Sequence, residues 1–421
     1  MKLLPYQGVV SINGSKSIIQ RIFLIASVQK VRTKLQPGSV CDDVLEMAEA
    51  LRALGVQISF ENDGIMIDSS CLETNQGSSV EVRFKASATA LRFWLARTIS
   101  VHDKSTILLS GQLYSRPLQP YLDILKAIGG IVVISETENS EFPIQIEITP
   151  PTLVPSEIAV DSSISSQFIS GLMLIAPFLE KGLSIIFNQK PVSRDYLELT
   201  AQLMQQYNIK CSLWEDRALI AGRSEYLIAD KQIIETDISG AAFFLVLGSF
   251  SKQGIGIRNY TNTRWQPDWR ILTILRKMGV VITEKDDVVT SKKGTLTGID
   301  IDMDNNTDLV PVLAVLALFA DSPSVLRNIS RLKYKESDRI KGLLYAYNTI
   351  CADYFYESGC LTINPLLQNV KAVTLDTQND HRLVMAFSLL QLHFPNISLT
   401  ETQTINKSFP EFFLLLAALS G

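Results

Sequence analysis

The chain has 421 residues, with 39 Lys and Arg against 43 Asp and Glu, and a formal net charge of −4. With 46% hydrophobic and 19% charged residues it can bury a large core, which excludes global disorder. No apolar run reaches the roughly 18 residues of a membrane span, and the slightly acidic balance excludes broad nucleic-acid binding while leaving room for a local cationic pocket. At roughly 100–200 residues per domain, two or three domains fit. The five cysteines (Cys41, Cys71, Cys211, Cys351, Cys360) are scattered, with no CxxC or Cys/His cluster, so neither a disulfide framework nor a metal site is expected. Met1-Lys2-Leu3-Leu4 runs into Pro5 and Tyr6 without an apolar signal segment, so a cytoplasmic protein is expected.

In chain order, residues 3–12 read as a strand segment. A polar cap at Ser15 then opens a nearly all-apolar helix, SKSIIQRIFLIA. An amphipathic helix follows and stops at Gly55 in LRALGVQISF, where glycine takes the left-handed position and a β-branched strand begins. The same pair then recurs. Apolar helices start at Ser87, Ser163, Asp237, Thr307 and Asn379, each behind an N-cap residue type. Amphipathic helices stop at Gly129, Asn208, Gly279, Asn348 and Gly421. Two interleaved series therefore share one period of roughly 70 residues over six copies, which makes coincidence a poor account.

A helix apolar on all sides belongs inside a domain, and an amphipathic one on its surface. Six such units pack most naturally as three per domain. The last helix ends the chain with no strand after it, so residues 3–12 are expected to supply the missing strand. The expected fold is α/β, with a domain over 15–233 and a discontinuous domain formed by 1–14 plus 234–421.

The starts of the buried helices gather reactive and cationic residues: Lys16, Ser17 and Arg21; Arg92; Ser165, Ser166 and Gln167; Asp308; Asp380, His381 and Arg382. A helix N-terminus offers free N–H donors and a positive dipole end. Copies packed with one handedness would aim these ends the same way, and two facing domains would line a cleft with them. The expected substrates carry more than one phosphate or carboxylate.

Eight motifs in order, GSKSIIQR at 14–21, SRP at 115–117, SISSQF at 163–168, VSRDY at 192–196, TDLVP at 307–311, YKESDR at 334–339, TQNDHR at 377–382 and NKSFPEF at 406–412, resemble the EPSP synthase family, the 3-phosphoshikimate 1-carboxyvinyltransferases. The resemblance implies a two-domain inside-out α/β barrel of six βαβαββ repeats. It implies transfer of the enolpyruvyl group of phosphoenolpyruvate to the 5-hydroxyl of shikimate 3-phosphate, through a tetrahedral intermediate that loses phosphate. It also implies no metal, no organic cofactor, no nucleic-acid or membrane partner, and a monomer. Carried over position by position, Lys16, Arg116, Gln167, Arg339, Arg382 and Lys407 would hold phosphoenolpyruvate, with Ala88 lining its pocket. Ser17, Arg21, Ser165, Ser166, Gln167, Ser193, Tyr196, Asp308 and Lys335 would hold shikimate 3-phosphate. Asp308 is expected as the base, and Glu336 and Lys16 as the groups that deliver a proton to the methylene.

The loop Lys85-Ala86-Ser87-Ala88-Thr89 departs from the family's Gly-Asn-x-Gly-Thr, Asn13 replaces a Pro, and Arg331 stands where a substrate-contacting Asn is common. Simpler roles compete: Lys16 as a solvated side chain, Asp308 as a cap, Glu336 as an ion-pair partner of Lys335, His381 as a packed residue behind Arg382, and Cys41 as a small packed thiol. Two other functions compete as well. The sister UDP-N-acetylglucosamine enolpyruvyl transferases usually carry a Cys in the loop ahead of their Arg-Pro motif, and residues 111–116 contain none. A silent anion-binding paralogue would not need Lys16, Asp308, Glu336 and Arg382 together.

Overall fold

The computed structural model describes residues 3–72, 79–259, 261, 263–367 and 369–420. Gly421, the expected stop of the last helix, and Met1 and Lys2 lie outside them. The chain forms six consecutive β-α-β-α units. The first holds β1 (Gly8–Val10), α1 (Lys16–Ala26), β2 (Arg32–Gln36), α2 (Asp42–Arg52), β3 (Gln57–Glu61) and β4 (Gly64–Asp68). The second holds β5 (Ser79–Phe84), α3 (Ala88–Ser100), β6 (Lys104–Leu109), a single turn α4 (Gly111–Tyr114), α5 (Gln119–Ala127), β7 (Ile131–Glu136) and β8 (Ile144–Thr149). The third holds β9 (Glu157–Val160), α6 (Ser166–Ile175), β10 (Leu183–Phe187), α7 (Asp195–Gln206), β11 (Cys211–Leu213) and β12 (Arg217–Ile220).

The fourth unit repeats the pattern with β13 (Lys231–Ile233), α8 (Ile238–Gly248), β14 (Ile255–Arg258), α9 (Arg270–Lys277), β15 (Val281–Lys285) and β16 (Val288–Lys292). The fifth has β17 (Asp300–Asp302), α10 (Val310–Ala317), β18 (Ser324–Arg327), α11 (Arg339–Thr349), β19 (Tyr354–Glu357) and β20 (Cys360–Ile363). The sixth is shorter, with β21 (Val373–Leu375), α12 (His381–His393), β22 (Ile397–Leu399), a 3-10 segment (Thr402–Lys407) and α13 (Phe412–Leu419).

Among the described residues, five sheets share one strand pattern. In each, a parallel pair is extended by an antiparallel hairpin, as in the order β5-β6-β8-β7, where the buried helix α3 bridges the parallel pair. Parallel neighbours need such a crossover because a tight turn cannot reverse the chain twice. The sixth sheet is the pair β21-β22 alone. The first and fourth units exchange their opening strands. β13 pairs parallel with β2, Lys231 opposite Lys34, and β1 pairs parallel with β14, Gly8 opposite Ile255. This corrects the expectation that residues 3–12 complete the last unit. They replace the opening strand of the fourth, and only an isolated bridge, Tyr6 to Ser420, reaches the end of α13.

The chain divides into two compact units, Gly14–Ile234 and Met1–Asn13 with Glu235–Gly421. In the first, α1, α3 and α6 are almost wholly buried and pack on one another. In the second, α8, α10 and α12 do the same. Helices therefore lie inside and sheets outside in each. Among the described residues, no helix is long and apolar enough to cross a membrane.

Two glycines allow neighbouring helices to approach. A Cβ on Gly171 of α6 would sit 2.8 Å from Ala96 Cβ of α3, and one on Gly342 of α11 would clash with Leu383 Cδ1 of α12. The caps follow local chemistry. Gly55, Gly129, Gly279 and Asn208 all have positive φ after their helices. The fifth cap differs: α11 runs on through Thr349, and Cys351 takes the left-handed position, with its N–H bonded to the Asn348 carbonyl at 3.2 Å. Three helix starts also shift. Ser165 rather than Ser163 caps α6, and Asp380 rather than Asn379 caps α12. Residues 307–309 form a 3-10 turn ahead of α10, whose second residue, Pro311, has no N–H to give.

Candidate active site

In the Gly14–Ile234 unit the N-terminal ends of α1, α3 and α6 are laced together by side chains. Arg21, on the buried face of α1, donates from Nε to Thr200 Oγ1 at 2.9 Å and from Nη1 to the Ser17 carbonyl at 2.7 Å. Its Nη2 reaches the Tyr196 carbonyl at 3.3 Å and Ser170 Oγ at 3.4 Å. Burial pushes this guanidinium down to about 10, partly offset by Tyr196, so its charge persists at neutral pH without a carboxylate partner in these contacts. Arg92 of α3 donates to Gln167 Oε1 at 2.7 Å and Ser165 Oγ at 3.3 Å, and Gln167 Nε2 donates to Thr89 Oγ1 at 2.7 Å. Ser165 also caps α6 through the Gln167 amide, and Ser166 is buried beside it.

Ser193, with φ 49°, and Tyr196 open α7 in the same neighbourhood. Arg116 follows α4, and the carbonyl of its neighbour Pro117 accepts from Arg92 at 3.1 Å. Lys16 is not a solvated lysine: its Nζ lies 2.6 Å from Asp43 Oδ2 of α2. Ser87 caps α3, and Ala88 is its first residue, buried. The packed reading of Cys41 fits as well, since burial pushes its thiol up to about 11.

In the other unit one carboxylate collects the cations. Asp308 Oδ1 lies 2.8 Å from Arg339 Nη1, 3.2 Å from Lys335 Nζ and 3.6 Å from Arg382 Nε. Arg339 is almost fully buried and serves three carboxylates at once, reaching Asp380 at 2.8 Å and Glu336 at 2.5 Å with its other nitrogens. Of the alternative pair, Lys335 reaches Asp308 and Glu336 reaches Arg339. Arg382 is positioned from both ends, its amide donating to Asp380 Oδ1 at 2.8 Å and its Nη1 to the Ser239 carbonyl at 3.2 Å. Lys407 ends the 3-10 segment packed on α12 and is half-buried. Arg331, the residue at the family's Asn position, is tied to Asp304.

Burial alone would favour the neutral form of Asp308, but Lys335, Arg382 and Arg339 outweigh it, and its carboxyl is held well below the usual range. A second carboxyl, Asp268, is fully buried close by. It accepts from Ser239 Oγ at 2.5 Å and Asn306 Nδ2 at 3.2 Å. Burial, then the charge of Asp308, pushes it up to about 6. Two carboxyls with opposite shifts and a shared arginine make this half able to hold anions and to store a proton.

Sequence reasoning missed Asp43, Gln20, Glu46, Thr200, Ser170 and Asp268. Asp43 carried a usable signal, since Asp42-Asp43 opens α2, but it reads there as a dipole partner rather than as the ligand of Lys16. Gln20 lies inside the GSKSIIQR motif but received no role there, and the rest are single polar residues in ordinary helical or turn contexts.

Each unit thus sets cations at the tips of interior helices within a three-copy βαβα frame. The same frame occurs in the solved structure of the EPSP synthase from Acinetobacter baumannii, with a TM-score of 0.78 and 20% identity, covering 99% of this chain and 97% of that one. The enolpyruvyl transferase NikO from Streptomyces tendae aligns with a TM-score of 0.75 and 15% identity, covering 99% and 95%. The fold is the two-domain inside-out α/β fold of enolpyruvyl transferases.

The model of the family EPSP synthase (3-phosphoshikimate 1-carboxyvinyltransferase) matches residues 2–416, and the chain belongs to that family. The 3-phosphoshikimate 1-carboxyvinyltransferase of Colwellia psychrerythraea is 28% identical over 420 residues, covering 98% of this chain and 97% of that protein. That of Haemophilus influenzae is 29% identical over 414 residues, covering 97% and 95%.

Proposed function

We propose that the chain moves the carboxyvinyl group of phosphoenolpyruvate onto the 5-hydroxyl of shikimate 3-phosphate, releasing phosphate. The observation that carries the reading is the convergence of Lys335, Arg339 and Arg382 on Asp308 within a chain of this family. Three cations gathered on one small carboxylate are a preformed anion site, and guanidinium forks match carboxylate and phosphate geometry.

In this reading Lys16, Arg116, Gln167, Arg339, Arg382 and Lys407 hold phosphoenolpyruvate, and Ala88 lines its pocket. Ser17, Arg21, Ser165, Ser166, Gln167, Ser193, Tyr196, Asp308 and Lys335 hold shikimate 3-phosphate. The methylene carbon gains a proton as the hydroxyl oxygen bonds to the neighbouring carbon. The resulting tetrahedral adduct then expels phosphate and loses a methyl proton, which restores the double bond. Glu336 or Lys16 delivers the first proton and Asp308 removes the hydroxyl proton. The structure puts a condition on that last role. With three cations around it, Asp308 has little proton affinity before the substrates bind.

We place the protein in the cytoplasm as a monomer. The test is phosphate release from phosphoenolpyruvate with either acceptor. Turnover with shikimate 3-phosphate supports the proposal; turnover only with UDP-N-acetylglucosamine, or binding without release, ends it.

A further inference from the structure

The first two turns of α2 hold two separate elements of the proposed phosphoenolpyruvate half-site. Asp43 and Glu46 are three residues apart and so share a face of the helix. Asp43 Oδ2 takes Lys16 Nζ at 2.6 Å. Glu46 accepts three consecutive backbone amides from the loop before α3. Its Oε1 takes the Ala86 N–H at 2.8 Å, and its Oε2 takes those of Ser87 at 2.9 Å and Lys85 at 3.1 Å. Gln20 of α1 ties the two together, its Nε2 lying 2.6 Å from the Asp43 carbonyl and 3.2 Å from Ser87 Oγ.

We infer that Glu46 is a positioning residue for phosphoenolpyruvate, acting through the 85–87 amides to set where Ala88 and Thr89 start α3; the inference rests on the function proposed above. Three amides aimed at one charged acceptor define the orientation of the peptide planes in this turn, and charge-assisted bonds of this kind are the strong ones. Ala86 brings no side-chain polar group of its own to the turn. Ser87, held by Glu46 through its amide, caps the Ala90 N–H with its hydroxyl at 3.3 Å, so the turn and the first helical residues move together. Thr89 in turn receives Gln167 Nε2. Gln167, proposed for both substrates, touches this brace through Thr89, but Arg21 and Ser165, proposed for shikimate 3-phosphate, are held by other groups. Arg21 is held by Ser17, Thr200, Ser170 and Tyr196, and Ser165 by Arg92 and the α6 amide. Loss of Glu46 should therefore disturb phosphoenolpyruvate far more than shikimate 3-phosphate.

The test is steady-state kinetics of Glu46→Gln and Glu46→Asp in the full chain, varying each substrate separately, with the melting temperature measured alongside. A displacement of about 1 Å in a binding element can cost up to a hundred-fold. Glu46→Gln is expected to raise KM for phosphoenolpyruvate by roughly ten-fold or more, with KM for shikimate 3-phosphate within about two-fold of wild type. Glu46→Asp, which keeps the charge on a shorter stem, is expected to fall between. Unchanged KM for phosphoenolpyruvate in both variants overturns the inference. So does a parallel rise in both KM values with a lower melting temperature, which is the mark of a general folding role. A wild-type chain that turns over while the variants match it sinks this inference alone; a wild-type chain that releases no phosphate sinks the proposed function and this inference with it.

Discussion

Arg339 Nη1 lies 2.8 Å from Asp308 Oδ1, while the same guanidinium donates through Nε to Asp380 Oδ2 at 2.8 Å. Arg339 thereby links the start of α10 to the cap of α12. Asp308→Asn keeps the shape of the side chain and removes the charge that Lys335, Arg339 and Arg382 share. Turnover is expected to fall by about a hundred- to ten-thousand-fold, the usual range for a lost proton-transfer group. KM for phosphoenolpyruvate is expected not to rise, because the cations remain for the substrate. Steady-state kinetics decide, and a kcat within ten-fold of wild type removes Asp308 from the chemistry.

Asp268 makes the stability of its unit depend on pH. Its carboxyl is pushed up to about 6 in the fold from 3.8, by burial first and the Asp308 charge second. The folded state therefore binds this proton more tightly than the unfolded chain. The stability it adds is fully present below about 3.8 and is lost as pH rises through about 6. The change is up to about 3 kcal/mol across that window. Asp268→Asn cannot ionise, so its denaturation midpoint is expected to lose this downward component between pH 4 and 6 relative to wild type. Parallel pH profiles for the two proteins contradict the shift.

Ala88 is 5% exposed at the first position of α3. Where the family has glycine, its methyl group is expected to crowd the proposed phosphoenolpyruvate pocket, at roughly 1–3 kcal/mol if the neighbours do not yield. Glyphosate, the family's inhibitor, is expected to bind more tightly to Ala88→Gly than to wild type. Inhibition assays on the two proteins at matched phosphoenolpyruvate settle the point, and equal inhibition removes the role given to this methyl.

Gly171→Ala puts a Cβ 2.8 Å from Ala96 Cβ, and neither group has a rotamer to escape into. The helices must part by some tenths of an ångström, which overpacking measurements place at about 1–3 kcal/mol. The bond from Arg92 on α3 to Gln167 on α6 crosses this contact. A lower melting temperature together with weaker shikimate 3-phosphate binding is expected. Unchanged calorimetric stability would show that the interior helices have slack.

Several local features were legible because they are written in neighbouring residues. Ser87 and Asp237 cap their helices as their types require, and Gly55, Gly129, Gly279 and Asn208 stop theirs. The reading failed where local preference was weak. Asn348 is a plausible cap, yet Leu343, Ala346 and Tyr347 lie buried along one face of α11, and the helix runs on until Cys351 takes the left-handed turn. Of the cations at the helix tips, the motifs marked Lys16, Arg21, Arg339 and Arg382. They said nothing of Glu46, because a carboxylate that accepts amides from a loop some 40 residues away leaves no trace in its own segment.

By itself the sequence determined the six-fold period, the division into interior and surface helices, and the families of motifs at the helix starts. All of these depend on polarity and hydrogen-bonding capacity over a few turns of chain. Only the tertiary structure decided which strand closes which sheet, with β1 and β13 trading places. Only it decided which acid each cation meets: Lys16 with Asp43, Lys335 with Asp308, Arg339 with three carboxylates at once. Those pairings join residues far apart in the chain, and they are set by how closely the packed helices approach. Gly342, by lacking a side chain, allows the close approach of α11 to α12 that joins Arg339 to Asp380.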